Sequence, residues 1–232
     1  MGDQLDHDLF PAGGMSQRLR FRISISLDGF TAGPDQSREN PLGTGGESLH
    51  DWVVPLEAWR SVHGLEGGER NASTAVMEEL AQNIGATIMG RNMFGGHPGP
   101  WRMDAPWIGW WGKNPPFHHP VFVLTHHARP PLELEGGTTF TFVTDGIDSA
   151  LHQARGAAAG RDIALAGGAS VAKQYLNAGL VDEMVLSMAP ILLGSGERLL
   201  DGVDDLRGLG LDRTVPAPGV AHLFFRRRNA SG

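Results

Sequence analysis

IALAGGASVAKQYL, residues 163–176, holds the pattern on which the fold turns. Residues 163–166 form a short apolar run, Gly167-Gly168 break it, and Val171, Tyr175 and Leu176 then follow at helical spacing. A strand that passes through glycines straight into a helix is the unit of a parallel sheet, because parallel strands are joined by crossovers.

The same unit recurs on either side. Upstream, residues 20–28 alternate, with Phe21, Ile23, Ile25 and Leu27 on one face and Arg20, Arg22, Ser24, Ser26 and Asp28 on the other. This is a strand with a polar second face. Residues 29–48 form a Gly/Pro/Ser/Asn loop, long enough to be functional. A helical turn near 50–62 carries Trp52, Leu56 and Trp59, and Val76, Met77, Leu80, Ala81 and Ile84 predict a helix over 72–84. Residues 86–89 read as a buried strand ending at Gly90-Arg91, with strands to follow at 121–125 and 138–143 and a helix bearing Ile147, Ala150, Leu151, Ala154 and Ala158. Downstream lie a strand at 184–190, a glycine-bearing turn at 191–198 and a closing strand at 220–228. The sum is an α/β fold, a three-layer α/β/α arrangement around a mostly parallel mixed sheet. Residues 1–17 read as a flexible leader with a breaker cluster at Pro11-Ala12-Gly13-Gly14, and residues 18–232 as a single domain.

Composition narrows the function. Nineteen basic against 26 acidic residues leave a net charge of −7, which argues against a nucleic-acid partner. The absence of cysteine excludes disulfides, Cys-ligated metals and thiol nucleophiles. No stretch approaches the ~20 apolar residues of a membrane span, and the acidic N-terminus lacks a secretory pattern, so a cytoplasmic protein is the expectation. Glycine is abundant, 33 of 232 residues, and points to many turns and close backbone approaches. Segment 93–119 is the oddest, with Phe94, Trp101, Trp107, Trp110, Trp111 and Phe117 among glycines and prolines. It reads as a cover for something flat, a pocket mouth or a subunit interface; a plain core is the alternative.

Three strand ends carry groups suited to anions. Gly167-Gly168-Ala169-Ser170-Val171 opens a helix whose first N–H groups would face a phosphate, although a tight turn needs the same glycines. Gly90-Arg91, followed by Asn92, offers a guanidinium fork or a surface arginine at a turn. Thr125-His126-His127-Ala128-Arg129 offers a hydroxyl, imidazoles and a second guanidinium, or a solvated loop. Together they suit an elongated polyphosphate lying across the sheet edge. The spacing is neither G-x-G-x-x-G nor a P-loop, no G-x-S-x-G elbow occurs, and the histidines form no metal-ligand grouping. Asp28 is the carboxylate best placed at the crevice, for a substrate amine or hydroxyl or for proton relay; a turn-forming Asp-Gly is the alternative.

Ser26-Leu27-Asp28-Gly29, Met89-Gly90-Arg91, Val123-Leu124-Thr125, Gly167-Gly168-Ala169-Ser170-Val171 and Pro190-Ile191-Leu192-Leu193-Gly194-Ser195-Gly196 occur in that order. The set resembles the dihydrofolate reductase-like superfamily, and more narrowly the C-terminal reductase domain of the bacterial bifunctional riboflavin-biosynthesis deaminase-reductase, over roughly residues 18–228. The resemblance implies an NADPH-dependent reductase acting on a small polar heterocycle, a pterin or a ribosylaminopyrimidine. The turn at Gly167 and Gly168 with Ala169, Ser170 and Val171 would hold the pyrophosphate. Gly90, Arg91 and Asn92 would lie at the phosphates, and Thr125 and His126 near the 2′-phosphate. Thr31, Ala32 and Gly33 with Leu193 and Gly194 would border the nicotinamide and substrate. The resemblance also implies a homodimer. The deaminase signature is missing, and only Asp51 and Glu57 could replace the first-helix carboxylate of dihydrofolate reductases. A non-catalytic NADP(H)-binding or sensing module of the same fold is therefore the alternative, as is a bound flavin for the donor.

Overall fold

The computed structural model describes residues 17–97, 99–102, 104 and 106–228. The expected leader lies outside them except for Gln17, whose amide donates to the carbonyl of Arg155 (3.0 Å). In chain order the elements are β1 (Leu19–Ser26), β2 (Phe30–Ala32), α1 (Glu57–Val62), α2 (Ala72–Ala81), β3 (Ile84–Gly90), α3 (Arg91–Phe94), β4 (Pro120–Leu124), β5 (Leu132–Glu133), β6 (Thr139–Val143), α4 (Ile147–Ala157), β7 (Asp162–Gly167), α5 (Ala169–Asn177), β8 (Glu183–Ala189), β9 (Glu197–Arg198), β10 (Leu209–Ala217) and β11 (Val220–Arg227). Nine strands form one sheet in the order β10-β11-β8-β1-β7-β3-β4-β6-β5. From β8 to β6 all neighbours are parallel, and antiparallel strands close both edges. The α/β expectation holds.

The chain leaves β1 in one direction to build β3, β4 and β6, then returns to place β7 and β8 on either side of β1. Right-handed crossovers running in opposite directions must lie on opposite faces. Accordingly α4 and α5 cover one face, where Leu151, Ala154, Val171, Tyr175 and Leu176 pack on Phe21, Ile25, Ile88, Phe122 and Leu165. On the other face α2 lays Val76 and Leu80 against Val185 and Phe224. On that face β3, β4 and β6 are covered by the four-residue α3 and the tryptophan-rich segment, with Phe94, Trp101, Trp107, Trp111 and Phe117 on Met89, Val121, Val123, Phe140 and Phe142. The flat object beneath the tryptophans is the sheet itself.

Helix α2 starts at a reciprocal cap, in which Asn71 Oδ1 accepts from Ser73 N (2.9 Å) and Thr74 Oγ1 from Asn71 N (3.0 Å). It ends three residues before the apolar stripe suggests. Gln82 is extended, Asn83 adopts φ 58°, and Ile84 opens β3 instead of closing the helix. The sequence reading also leaves 199–219 unassigned, where β10 pairs with β11 through a turn at Gly219 (φ +71°). Pro216 disguises this strand, and it is tolerated because β10 is an edge.

On the polar face of β1, Arg20, Ser24 and Ser26 are buried, as a central parallel strand requires, while Arg22 is exposed. Arg20 donates to Glu183 Oε1 (3.1 Å) and the Gln82 carbonyl (2.8 Å), and Ser24 Oγ accepts from Trp52 Nε1 (3.3 Å). Beside them His222, with no exposed surface, has Nε2 bonded to Ser73 Oγ and Nδ1 to Ser187 Oγ, both at 2.9 Å. Burial pulls its pKa from 6.5 to about 4. The folded ring stays neutral where the unfolded one takes up a proton, so stability falls as pH drops from 6.5 toward 4 and levels off below. The expected loss from this group is roughly 3 kcal/mol. Urea titrations across that range should show His222→Asn lacking about one proton of this slope, and an unchanged slope would contradict the assignment.

Candidate functional site

The C-terminal ends of the parallel strands share one edge, and the sheet order reverses between β1 and β7. Such a reversal opens a crevice. The turn from β7 into α5 stands there. Gly167 has φ +104°, closed to most side chains, and the Gly167–Gly168 peptide bond is cis. Gly168 is the N-cap of α5, and no side chain caps the helix. A Cβ on Gly168 would meet nothing within 4 Å. The nine-residue helix thus opens without a side-chain cap, beside a position where an added side chain would meet open space, and an uncapped helix start suits an anion.

Gly90 abuts this turn. Its Cβ would stand 2.7 Å from Val171 Cγ2 and 3.6 Å from the Gly167 carbonyl oxygen, so only glycine lets β3 and α5 approach so closely. Two of the three predicted strand ends are therefore in contact. Arg91 points elsewhere. Its guanidinium donates to the carbonyls of Gly95 and His97 and lies 3.3 Å from the centre of the Trp101 ring. Burial, reinforced by the charge of Arg129, lowers its pKa to about 10. Asn92 is exposed on α3. Thr125 is buried, and its Oγ1 accepts from His127 N (3.2 Å), while His126 is exposed. Trp101 Nε1 donates to the His127 carbonyl (2.7 Å), so this third strand end lies against the tryptophan-rich segment.

Across the crevice, Asp28 binds the loop after β8. Its Oδ1 accepts from Ser26 Oγ (2.6 Å) and Leu193 N (3.2 Å), and its Oδ2 from Gly194 N (2.7 Å). The Ser26 hydroxyl, then the Gly194 and Leu193 amides, hold the carboxyl down at about 2. It is ionised at neutral pH and holds the loop; it is no proton source there.

Thr31 and Ala32 are buried in a second, two-stranded sheet of β2 and β9, and Gly33 is buried just after it. Thr31 Oγ1 donates to the Glu197 carbonyl (3.2 Å). Gly33 and Gly196 are there for contact, since a Cβ on the first would fall 1.9 Å from the Thr44 carbonyl oxygen and on the second 2.1 Å from that of Ala32. Leu193 reaches Gly45, and Lys173 on α5 pairs with Glu197 on β9 (3.2 Å). Loops 29–46 and 190–198 form one body beside α5. Of the two carboxylates considered for the first helix, Glu57 is exposed and bound to Arg70 (3.0 Å), and Asp51 is exposed after a 3-10 turn. Sequence reasoning missed Lys173 and Glu197; no local pattern links residues 24 apart.

Among the described residues no three His, Asp or Glu side chains could share a metal ion, and no helix is long and apolar enough to cross a membrane. A family model described as the RibD C-terminal domain matches residues 17–215. The Bacillus subtilis (strain 168) protein YyaP, itself uncharacterized, is 41% identical over 67 residues, which are 28% of this chain and only 36% of that relative. Among solved structures, a putative riboflavin biosynthesis protein from Shewanella sp. PV-4 superposes with a TM-score of 0.57 at 20% identity, over 92% of this chain and all of the other. Acinetobacter baumannii RibD gives 0.54 at 16% identity, and the Thermotoga maritima deaminase/reductase 0.56 at 11%. This chain spans 58% and 57% of those two, and the likeness is one of fold.

The loop anchor is testable. In Asp28→Ala the amides of Leu193 and Gly194 should exchange hydrogen at least about tenfold faster, as expected for a lost charge-assisted bond. With a carboxyl pKa near 2, the wild-type protection should persist from pH 7 to 4 and fade only below. Equal exchange in both proteins would contradict the anchor.

Proposed function

Because this chain belongs to the RibD C-terminal domain family, we propose that it is an NADPH-dependent reductase of a small polar heterocycle of the ribosylaminopyrimidine or pterin type. The observation that carries the reading is the uncapped start of α5 facing open space above Gly168. A dinucleotide pyrophosphate fits there, held by the amides of Ala169, Ser170 and Val171. Gly90 keeps the neighbouring turn close, and Asn92, Thr125 and His126 stand along the edge for the rest of the nucleotide. When bound, the cofactor supplies a hydride from its nicotinamide C4 to an electrophilic C=N or C=O carbon.

The remaining work falls to this chain's residues. Leu193 and Gly194 form the wall against which the reacting rings are aligned, and Asp28 holds that wall in place through both oxygens. Thr31, Ala32 and Gly33 support it from behind through the β2–β9 ladder. Asp28 is a positioning residue in this scheme. The protein is read as a cytoplasmic homodimer acting on a small molecule.

One observation favours a second reading, a non-catalytic NADP(H)-binding module. Asp28 is locked by the Leu193 and Gly194 amides and Glu57 is paired with Arg70, so neither is free to handle the substrate proton.

NADPH at about a hundred times its Kd should stabilise the fold by about 2.7 kcal/mol, or roughly 5–10 °C in Tm, with NADH less effective. No shift with either nucleotide would overturn the cofactor assignment. Oxidation of NADPH with ribosylaminopyrimidine or pterin substrates then separates the two readings: turnover selects the reductase, and binding without turnover of any selects the module.

A further inference from the structure

Hydride transfer to the carbon of a C=N or C=O bond leaves the nitrogen or oxygen in need of a proton, and neither Asp28 nor Glu57 is free to supply it. His50 has a nitrogen to spare. It closes the 3-10 turn Gly46–His50, and its backbone is pinned, the carbonyl accepting from the amides of Val53 (3.0 Å) and Val54 (3.2 Å). The ring is not pinned. Among the described residues, Nδ1 of His50 is the one buried side-chain nitrogen or oxygen without a hydrogen-bond partner. Folded chains bond nearly all such atoms, so the exception points to a use outside the fold. Other histidines here show the usual arrangement: His222 bonds through both ring nitrogens, and His119 Nε2 meets Thr87 Oγ1 at 2.7 Å.

The placement suits a substrate. Helix α5 packs on one face of the sheet, that of Phe21 and Ile25, whereas the 3-10 turn packs on β1, β2 and β8. It does so from the opposite side, since Trp52 Nε1, two residues on, donates to Ser24 Oγ in the polar row of β1 (3.3 Å). The wall joins the two sides. A Cβ on Gly45 would stand 3.4 Å from Leu193 Cδ2 and one on Gly46 3.1 Å from Gly33 N, so the turn springs from the residues that the reductase reading sets beside the reacting rings. A nicotinamide inserted from the α5 side offers its far face to the polar row of β1, and a ring stacked there has His50 for a neighbour. The residue is half-buried, which shields the imidazole without sealing it from a ligand.

We propose that His50 is a catalytic residue, the proton donor to the substrate nitrogen or oxygen whose double bond to carbon is reduced. The proposal rests on the reductase reading. As the hydride from NADPH bonds to the carbon, the π pair moves onto the nitrogen or oxygen, a new N–H or O–H bond forms there as an N–H bond of the His50 imidazolium breaks, and NADP+ remains. The neutral ring then takes a proton from water. Burial lowers the pKa of His50 from its ordinary 6.5, and Asp51 works the other way. Other charges on the packed elements are directed elsewhere: Arg20, Arg22 and Glu183 stand toward the N-terminal ends of β1 and β8, and Asp28 is held by the Leu193 and Gly194 amides. The donor form therefore fills as pH falls.

The test has a binding arm and a turnover arm. In the first, the His50 ring is titrated by NMR with saturating NADP+ or 2′,5′-ADP. The oxidised nicotinamide carries a positive charge that 2′,5′-ADP lacks, so the His50 midpoint should lie about half a pH unit or more lower in NADP+. In the second, NADPH oxidation by dihydropterin and ribosylaminopyrimidine substrates is followed from about pH 5.5 to 8.5 in the wild type, His50→Gln and His50→Ala. Wild-type kcat/KM should rise as pH falls, and the rise should continue below 6.5. Both variants should lose about a hundredfold to ten-thousandfold in kcat and the pH dependence, yet keep the NADPH-induced rise in Tm. Added imidazole should restore part of the activity of His50→Ala. If NADP+ binds and leaves the His50 midpoint where 2′,5′-ADP leaves it, or if the variants turn over like the wild type, the donor role is overturned and the cofactor reading stands. Loss of the NADPH-induced rise in Tm in both variants, with no rescue by imidazole, would make His50 structural and overturn the role. If the wild type binds NADPH and turns over none of the substrates, the non-catalytic module is selected and the donor role falls with the reductase. If it binds neither NADPH nor NADP+, both readings fall together.

Discussion

The amides that open α5 set the terms for the structure around them. A helix start leaves N–H groups without intrahelical partners, and burial without a partner costs on the order of 1–3 kcal/mol for each. Here Gly168 supplies no cap, and the surroundings are arranged to keep the space before it clear. Gly90 lets β3 pass against Val171 without a side chain between them. The reversal of strand order puts β1 beside β7, so that Asp28 and the loop it holds stand across from the helix start. Lys173 then joins α5 to β9. Fold and crevice follow from one placement, a helix that begins where the sheet turns back.

Much of this was legible because it is local. The run through Gly167 and Gly168 into Val171, Tyr175 and Leu176 shows strand, turn and helix in a single window, and the alternation in 20–28 locates the first strand. What could not be read is non-local. The polar face of β1 is satisfied by residues far along the chain, Glu183 for Arg20 and Trp52 for Ser24, so its burial leaves no trace in the strand itself. Strand alternation puts Asp28 at the end of the first strand, but its partners at 193 and 194 are backbone amides, which no residue type announces. Arg91, by its place after Gly90 at a strand end, suggests a phosphate contact. Its orientation onto Trp101 depends on a segment whose shape has no periodicity.

The two long irregular segments emerge with different roles from those of ordinary loops. Residues 29–46 are stitched to 190–198 by a short ladder and by Gly196, where an added Cβ would fall 2.1 Å from the Ala32 carbonyl oxygen, which makes the pair a wall. The tryptophan-rich segment, with the short α3, covers one half of the sheet, contributing edge-to-face ring contacts such as Phe94 with Phe140 and Phe142 at 5.0 and 5.3 Å. Apolar rings with few rotamers give burial at low conformational cost, so a covering layer can form without regular hydrogen bonding.

A crystal structure of the protein grown with NADP+ would test the central claim most directly. The pyrophosphate should lie above Gly168 with its oxygens about 3 Å from the amide nitrogens of Ala169, Ser170 or Val171. An ordered nucleotide bound anywhere else on the molecule, with the start of α5 facing only solvent, would contradict it.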